Sequence, residues 1–315
     1  MRKYLEIFLL ILLCTACSEK GRFYSKEAES LPIDVEIERF DIDFMSMDSA
    51  SLVQNYPDFY PIYVRNILEL PASELDKFKA DSAVRALFAD VEKEYSNVDD
   101  IEKTLTKAFK YYKYNFPDKQ VPNVSFHVSG FNQSIVTLPE RASVSADFYL
   151  GKDYPLYSTV AYQYEVPYLT REHLPIDVML GWLSTEFPSD DSRLLESMIS
   201  HGKIMYLLEV FFPDYKMNEI LSYTEEQFAW CEEHERKIWH SIVENKELYS
   251  TDWRTIMKYT QPAPFTNGYS QEFSPGRLGV YMGWKIVSSF MKAHKELSLS
   301  DMMLISDAQE IMRYY

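Results

Sequence analysis

Between Pro175 and Asp214 the spacing of apolar residues predicts two consecutive helices joined by a turn at Pro188–Asp191. In the second, Leu194, Leu195, Met198, Ile199, Met205, Leu208 and Val210 recur at mostly helical intervals. A polar knot, Ser200-His201-Gly202-Lys203, interrupts that apolar frame. Glycine inside a helix costs roughly 1 kcal/mol relative to alanine, so Gly202 points to another backbone or a large side chain approaching closely.

The rest of the chain alternates between strand-like and helix-like patterns. Ile33, Val35 and Ile37 alternate with acidic residues, and after Arg39 the apolar set becomes Phe40, Ile42 and Phe44. This predicts a half-buried strand with a bulge near Arg39. Residues 56–68 read as an aromatic loop leading into a short helix. Ser73 is the expected N-cap of a helix over residues 75–95. Asp99-Asp100 opens another helix, in which Ile101, Leu105, Ala108, Phe109 and Tyr112 form one stripe. Lys103, Lys107, Lys110 and Lys113 fall mainly on its other face, which reads as solvated. Strands are predicted at 121–129, 134–138 and 144–150, with His127 a structural residue of the first. Thr224 and Gln227 form a capping box for a long helix, and Asp252 starts a further one. Ser274-Pro275 is the expected start of the last long helix, whose Gly276, Gly279 and Gly283 lie along one side for close packing. Ser300 caps a final helix to Arg313. With no repeat or interdomain linker, the fold class predicted is α+β: one mostly helical domain with a small mixed sheet in its N-terminal half.

The first residues alter the picture of where this domain resides. Arg2 and Lys3 precede an apolar run, Tyr4 to Leu13, too short for a bilayer span of about 20 residues. Residues 1–16 therefore read as a secretory signal peptide. Leu13-Cys14-Thr15-Ala16-Cys17 resembles a bacterial lipobox, which places cleavage before Cys17 and lipid on it. Residues 17–31 are the expected tether and 32–315 the folded domain. This gives a cell-envelope protein, held to the membrane by lipid and facing away from the cytoplasm. Cys231 is then left without a disulfide partner, so stability rests on the core. The net charge is −16, nearer −17 without the signal's net +1, and it disfavours nucleic acid and anionic headgroups as direct partners. The 24 Tyr and 19 Phe suit core packing first, and a peptide- or sugar-binding surface second.

Catalytic patterns are incomplete. His234-Glu235 begins like a zinc-peptidase helix, but residue 238 is Ile and the next histidine is His240. Six residues turn a helix by about 600°, so those two imidazoles point roughly 120° apart. Cys231 and His234 share a helix, whereas a cysteine nucleophile normally draws its partners from different elements. Ser274-Pro275-Gly276-Arg277-Leu278-Gly279 lacks the Lys-Ser/Thr of a phosphate loop. His201 beside Lys203 is the remaining candidate, either a functional pair or a polar cover at the end of a packed helix.

Several segments, in order along most of the chain, resemble the gliding-motility lipoprotein GldB family. They are the lipobox at Cys17, Phe148-Tyr149-Leu150-Gly151-Lys152-Asp153-Tyr154-Pro155, Leu194-Leu195-Glu196-Ser197-Met198-Ile199 and Gly202-Lys203. Phe212-Pro213-Asp214, Tyr223-Thr224, Trp230-Cys231, Pro262-Ala263-Pro264-Phe265 and Ser274-Pro275-Gly276-Arg277 with Gly283-Trp284 complete the set. The resemblance implies a zincin-like fold, in which an HExxH helix precedes a helix carrying a Glu-Gly pair. Here the segment Ile176–Phe187 holds no histidine, and His201 stands before Gly202 where Glu is expected. The implied protein is a degenerate scaffold without cofactor: a non-catalytic binding or assembly factor of gliding motility and type IX secretion. Its partner would be an envelope protein, with His201, Lys203 and Arg277 as the binding candidates. The alternative is a zinc-dependent peptidase with a nonstandard set drawn from His173, Glu186, Glu196 and His201.

Overall fold

A computed structural model describes residues 23–315. The signal peptide and Cys17 lie outside the described residues. Four strands form one mixed sheet in the N-terminal half, in the order β1 (Ile37–Glu38), β2 (Asn123–His127), β4 (Arg141–Ser145), β3 (Ile135–Leu138). β2 runs parallel to both β1 and β4, with His127 opposite Ser145, and β3 returns antiparallel on β4, with Ile135 opposite Val144. Every residue of β4 is buried, and its polar members all have partners. Ser143 Oγ lies 2.8 Å from His127 Nδ1, Ser145 Oγ donates to the Asp147 carboxylate, and the Arg141 Nε donates to Asp58 at 2.8 Å. Burial pushes His127 down to about 3, so this histidine is neutral in the fold.

The long N-terminal strand predicted from alternation is only two residues long. The N–H groups of Val35 and Ile37 are taken by Thr106 Oγ1 and Glu102 Oε1 of helix α1 (Asp99–Asn115). Beyond Arg39 the chain turns helical over Phe40–Ser46. Phe40 and Phe44 are four apart, and a helix lets both rings pack on Tyr63, with centroids 4.8 and 4.9 Å away.

Residues 23–31, within the expected tether, are described by the structure. Phe23 is buried edge-on against Tyr206, and the short helix Lys26–Glu29, with Ala28 buried, lies on α1. Lys110 Nζ donates to the Glu29 carbonyl at 3.1 Å in an exposed contact. Phe23 and Ala28 are thus buried although both precede Pro32.

The predicted pair is present as α2 (Leu174–Glu186) and α3 (Leu194–Phe211). Nearly all of α3 is buried, as expected of a helix that is apolar on all sides. Its most extensive contact is with α6 (Leu278–Ala293), after α4 (Glu225–Glu244) and α5 (Trp253–Thr260) in the chain. The close approach expected at Gly202 is backbone on backbone. A Cβ there would overlap the Gly283 carbonyl, and one on Gly283 would overlap Met198 O. Gly279 has similar neighbours, with Tyr259 Cβ only 2.8 Å from where a Cβ would sit.

Three helix starts differ from expectation. The helix expected over 75–95 breaks at Asp81, whose carboxylate caps Ser82–Glu94 by accepting from Ala83 and Val84. α6 starts at Leu278, because Arg277 is in the left-handed region at φ +56°. Ser298, not Ser300, caps Leu299–Leu304, and the chain breaks again before Ala308–Met312. The capping box at Thr224 and Gln227 is formed as expected. Among the described residues no helix is long and apolar enough to cross a membrane.

Candidate functional site

A cavity of about 400 Å³ opens beside the first turns of α2, within the range of ligand sites. One wall is α2 itself. Helical spacing puts His173, Asp177 and Gly181 on one side, and Gly181 lets β3 lie close: a Cβ there would be 2.7 Å from Ile135 Cγ2. The opposite walls are the segment Tyr164–Leu169, the turn at Ser222–Tyr223, and the proline-rich stretches Pro262–Pro264 and Pro275–Arg277.

Polar groups in this cavity are positioned by their neighbours. Asp177 Oδ2 accepts from the Tyr149 hydroxyl at 2.8 Å. His173 Nε2 lies 3.1 Å from Ser222 Oγ and 3.5 Å from Asp177 Oδ1. Both contacts involve the same ring nitrogen. A serine–histidine–aspartate relay needs the serine on one nitrogen and the acid on the other, which is not how these three residues are arranged. The Tyr223 hydroxyl donates to the carbonyls of Gly276 (2.8 Å) and Arg277 (3.1 Å), and Arg277 Nη2 donates to Leu221 O at 2.6 Å. Ser222 (φ +54°) and Arg277 both carry left-handed backbone. Such strain costs of order 1–3 kcal/mol per residue and concentrates at functional sites.

Charge in the cavity is split. Among the described residues Arg277 is the only Lys or Arg side chain of its lining, which also holds the carboxyl groups of Glu165 and Asp177. Burial raises the Glu165 carboxyl, and Asp177 adds to this, while the Tyr164 hydrogen bond and the Arg277 charge work against it. Burial also pushes Tyr164 and Tyr168 up to about 12, so both remain neutral hydroxyls.

Of His201, Lys203 and Arg277, the structure brings only Arg277 to this cavity. His201 Nδ1 sits 2.8 Å from the Ser197 carbonyl on its own helix. Lys203 is buried, with Nζ donating to Ile305 O at 2.6 Å, and burial pulls it down to about 8. It ties the C-terminal segment to α3. The alternative ligand set does not converge either. Glu186 pairs with Lys119 at the far end of α2, Glu196 pairs with Arg193, and only His173 lines the cavity. Among the described residues no three His, Cys, Asp or Glu side chains are grouped to hold a metal ion. Cys231 is buried, which pushes its thiol up and away from thiolate chemistry, and His234 stacks on Trp230. Tyr164, Glu165, Tyr168, Asp177 and Ser222 belong to no motif of the sequence. The one available signal was Asp177 four residues after His173 on a helix.

The fold and this site define a mostly helical α+β protein with one aromatic cleft of split charge. The chain belongs to a family of gliding motility lipoproteins: the family model described as gliding motility protein GldB matches residues 23–314. Membership makes this a gliding motility protein and implies a lipid anchor to the membrane. No curated protein and no solved structure matches the chain.

Proposed function

We propose that this lipoprotein is a non-catalytic binding or assembly factor of the gliding and type IX secretion machinery. Lipid on Cys17 holds it to the membrane, and the cavity around Arg277 receives an envelope protein. The zincin-like relationship belongs to this reading, as a scaffold whose cleft serves binding alone. The observation that carries the proposal is the cavity's lining: tyrosines, prolines and opposed charges, with His173 presenting one nitrogen to both Ser222 and Asp177. Such a lining can hold a ligand, yet it offers no activated nucleophile.

Complementation of a deletion strain tests this. Arg277→Ala combined with Glu165→Ala should abolish colony spreading at unchanged protein level. His201→Ala, outside the cavity, should retain it. Full spreading with the cavity pair replaced would overturn the proposal, and loss with His201→Ala alone would move the site to α3.

A further inference from the structure

The lining charges do not balance. Among the described residues, Glu165 and Asp177 bring two carboxyl groups against the one guanidinium of Arg277; Asp177 Oδ1 has His173 Nε2 at 3.5 Å, whereas neither Glu165 nor Arg277 has an ion-pair partner within salt-bridge distance. Arg277 already uses Nη2 on Leu221 O. Tyr149, Tyr164, Tyr168 and Tyr223 line the same cavity, and a cation over a tyrosine face is attracted by the ring quadrupole. An anionic ligand would meet two carboxylates, whereas a cation offsets the excess negative charge. The net charge of −16 favours the approach of the same sign of ligand.

Leu156, Val160 and Tyr162 are exposed on the segment leading to Tyr164, Tyr162 to 69%. Tyr162 stacks on Tyr164 with centroids 5.6 Å apart, so an exposed aromatic platform continues directly from the cavity lining. A charged pocket beside an apolar, aromatic surface matches the anatomy of a protein interface in which one anchor is buried.

We infer that the cavity accepts a lysine or arginine side chain projecting from a partner polypeptide, held between the tyrosines by Glu165 and Asp177. This rests on the cavity being the binding site, as proposed above. The partner's flanking residues lie against Leu156, Val160 and Tyr162.

The test uses the full-length protein in nonionic detergent and blocked pentapeptides Ala-Ala-X-Ala-Ala, with X as Arg, Lys, Gln or Glu. Calorimetric titration should show the Arg and Lys peptides binding at least about ten-fold tighter than the Gln and Glu peptides. Glu165→Gln with Asp177→Asn should remove that difference, while a thermal melt shows the fold intact. Equal or reversed preference, or no binding of the basic peptides at millimolar concentration, overturns the inference. The complementation assay judges the binding reading separately. Lost spreading in Arg277→Ala/Glu165→Ala together with no basic preference would retain the cavity and reject the basic anchor.

Discussion

At the scale of single residues, the contact between Gly202 and Gly283 sets how closely the two main helices approach. No side chain can yield there, because a Cβ on either residue meets backbone. Gly202→Ala should therefore destabilise the protein by about 3 kcal/mol or more, even though alanine is the better helix former. Ser200→Ala, two residues away and half-buried, should cost less than about 1 kcal/mol. Urea denaturation measures both, and an unchanged midpoint for Gly202→Ala would show that the helices separate without penalty. Gly202 was legible because its cost inside a helix demands a compensating contact. Its partner was not, since Gly283 lies 81 positions further along the chain.

At the scale of elements, local chemistry predicted helices well where a cap and an apolar stripe agreed, as at Thr224 and Gln227. It failed at Ser73, expected to cap one continuous helix over residues 75–95. The structure uses Asp81, whose carboxylate takes two backbone N–H groups. Asp81→Ala should cost about 1 kcal/mol in thermal or chemical denaturation. Ser73→Ala should fall within about 0.5 kcal/mol. Equal effects would mean that the break at Asp81 does not govern the helix. The segment from Ile33 to Phe44 illustrates a competition of patterns. Its alternation fits a strand, but Phe40 and Phe44 also fit one helical face, and the aromatic cluster around Tyr63 favours the helix.

At the scale of the whole molecule, burial within residues 23–31 contrasts with the polarity of that segment. Residues 23–31 are mostly charged or polar, yet Phe23 and Ala28 are buried. A chain beginning at Pro32 should unfold at lower urea concentration than one beginning at Ser18, since burying a phenylalanine contributes about 2 kcal/mol. Identical midpoints would mean that this segment lies on the domain without supporting it. By itself the sequence determined the mostly helical α+β class, the helix pair from Pro175 to Asp214, the demand for close packing at Gly202, and the family. These depend on periodicity, capping and motif order, which are local along the chain. Only the tertiary structure decided the cleft, because its walls come from segments between Ser134 and Arg277 that no spacing rule links. It also decided that Arg277 joins Glu165 and Asp177 there, while Lys203 is drawn into the core to reach Ile305.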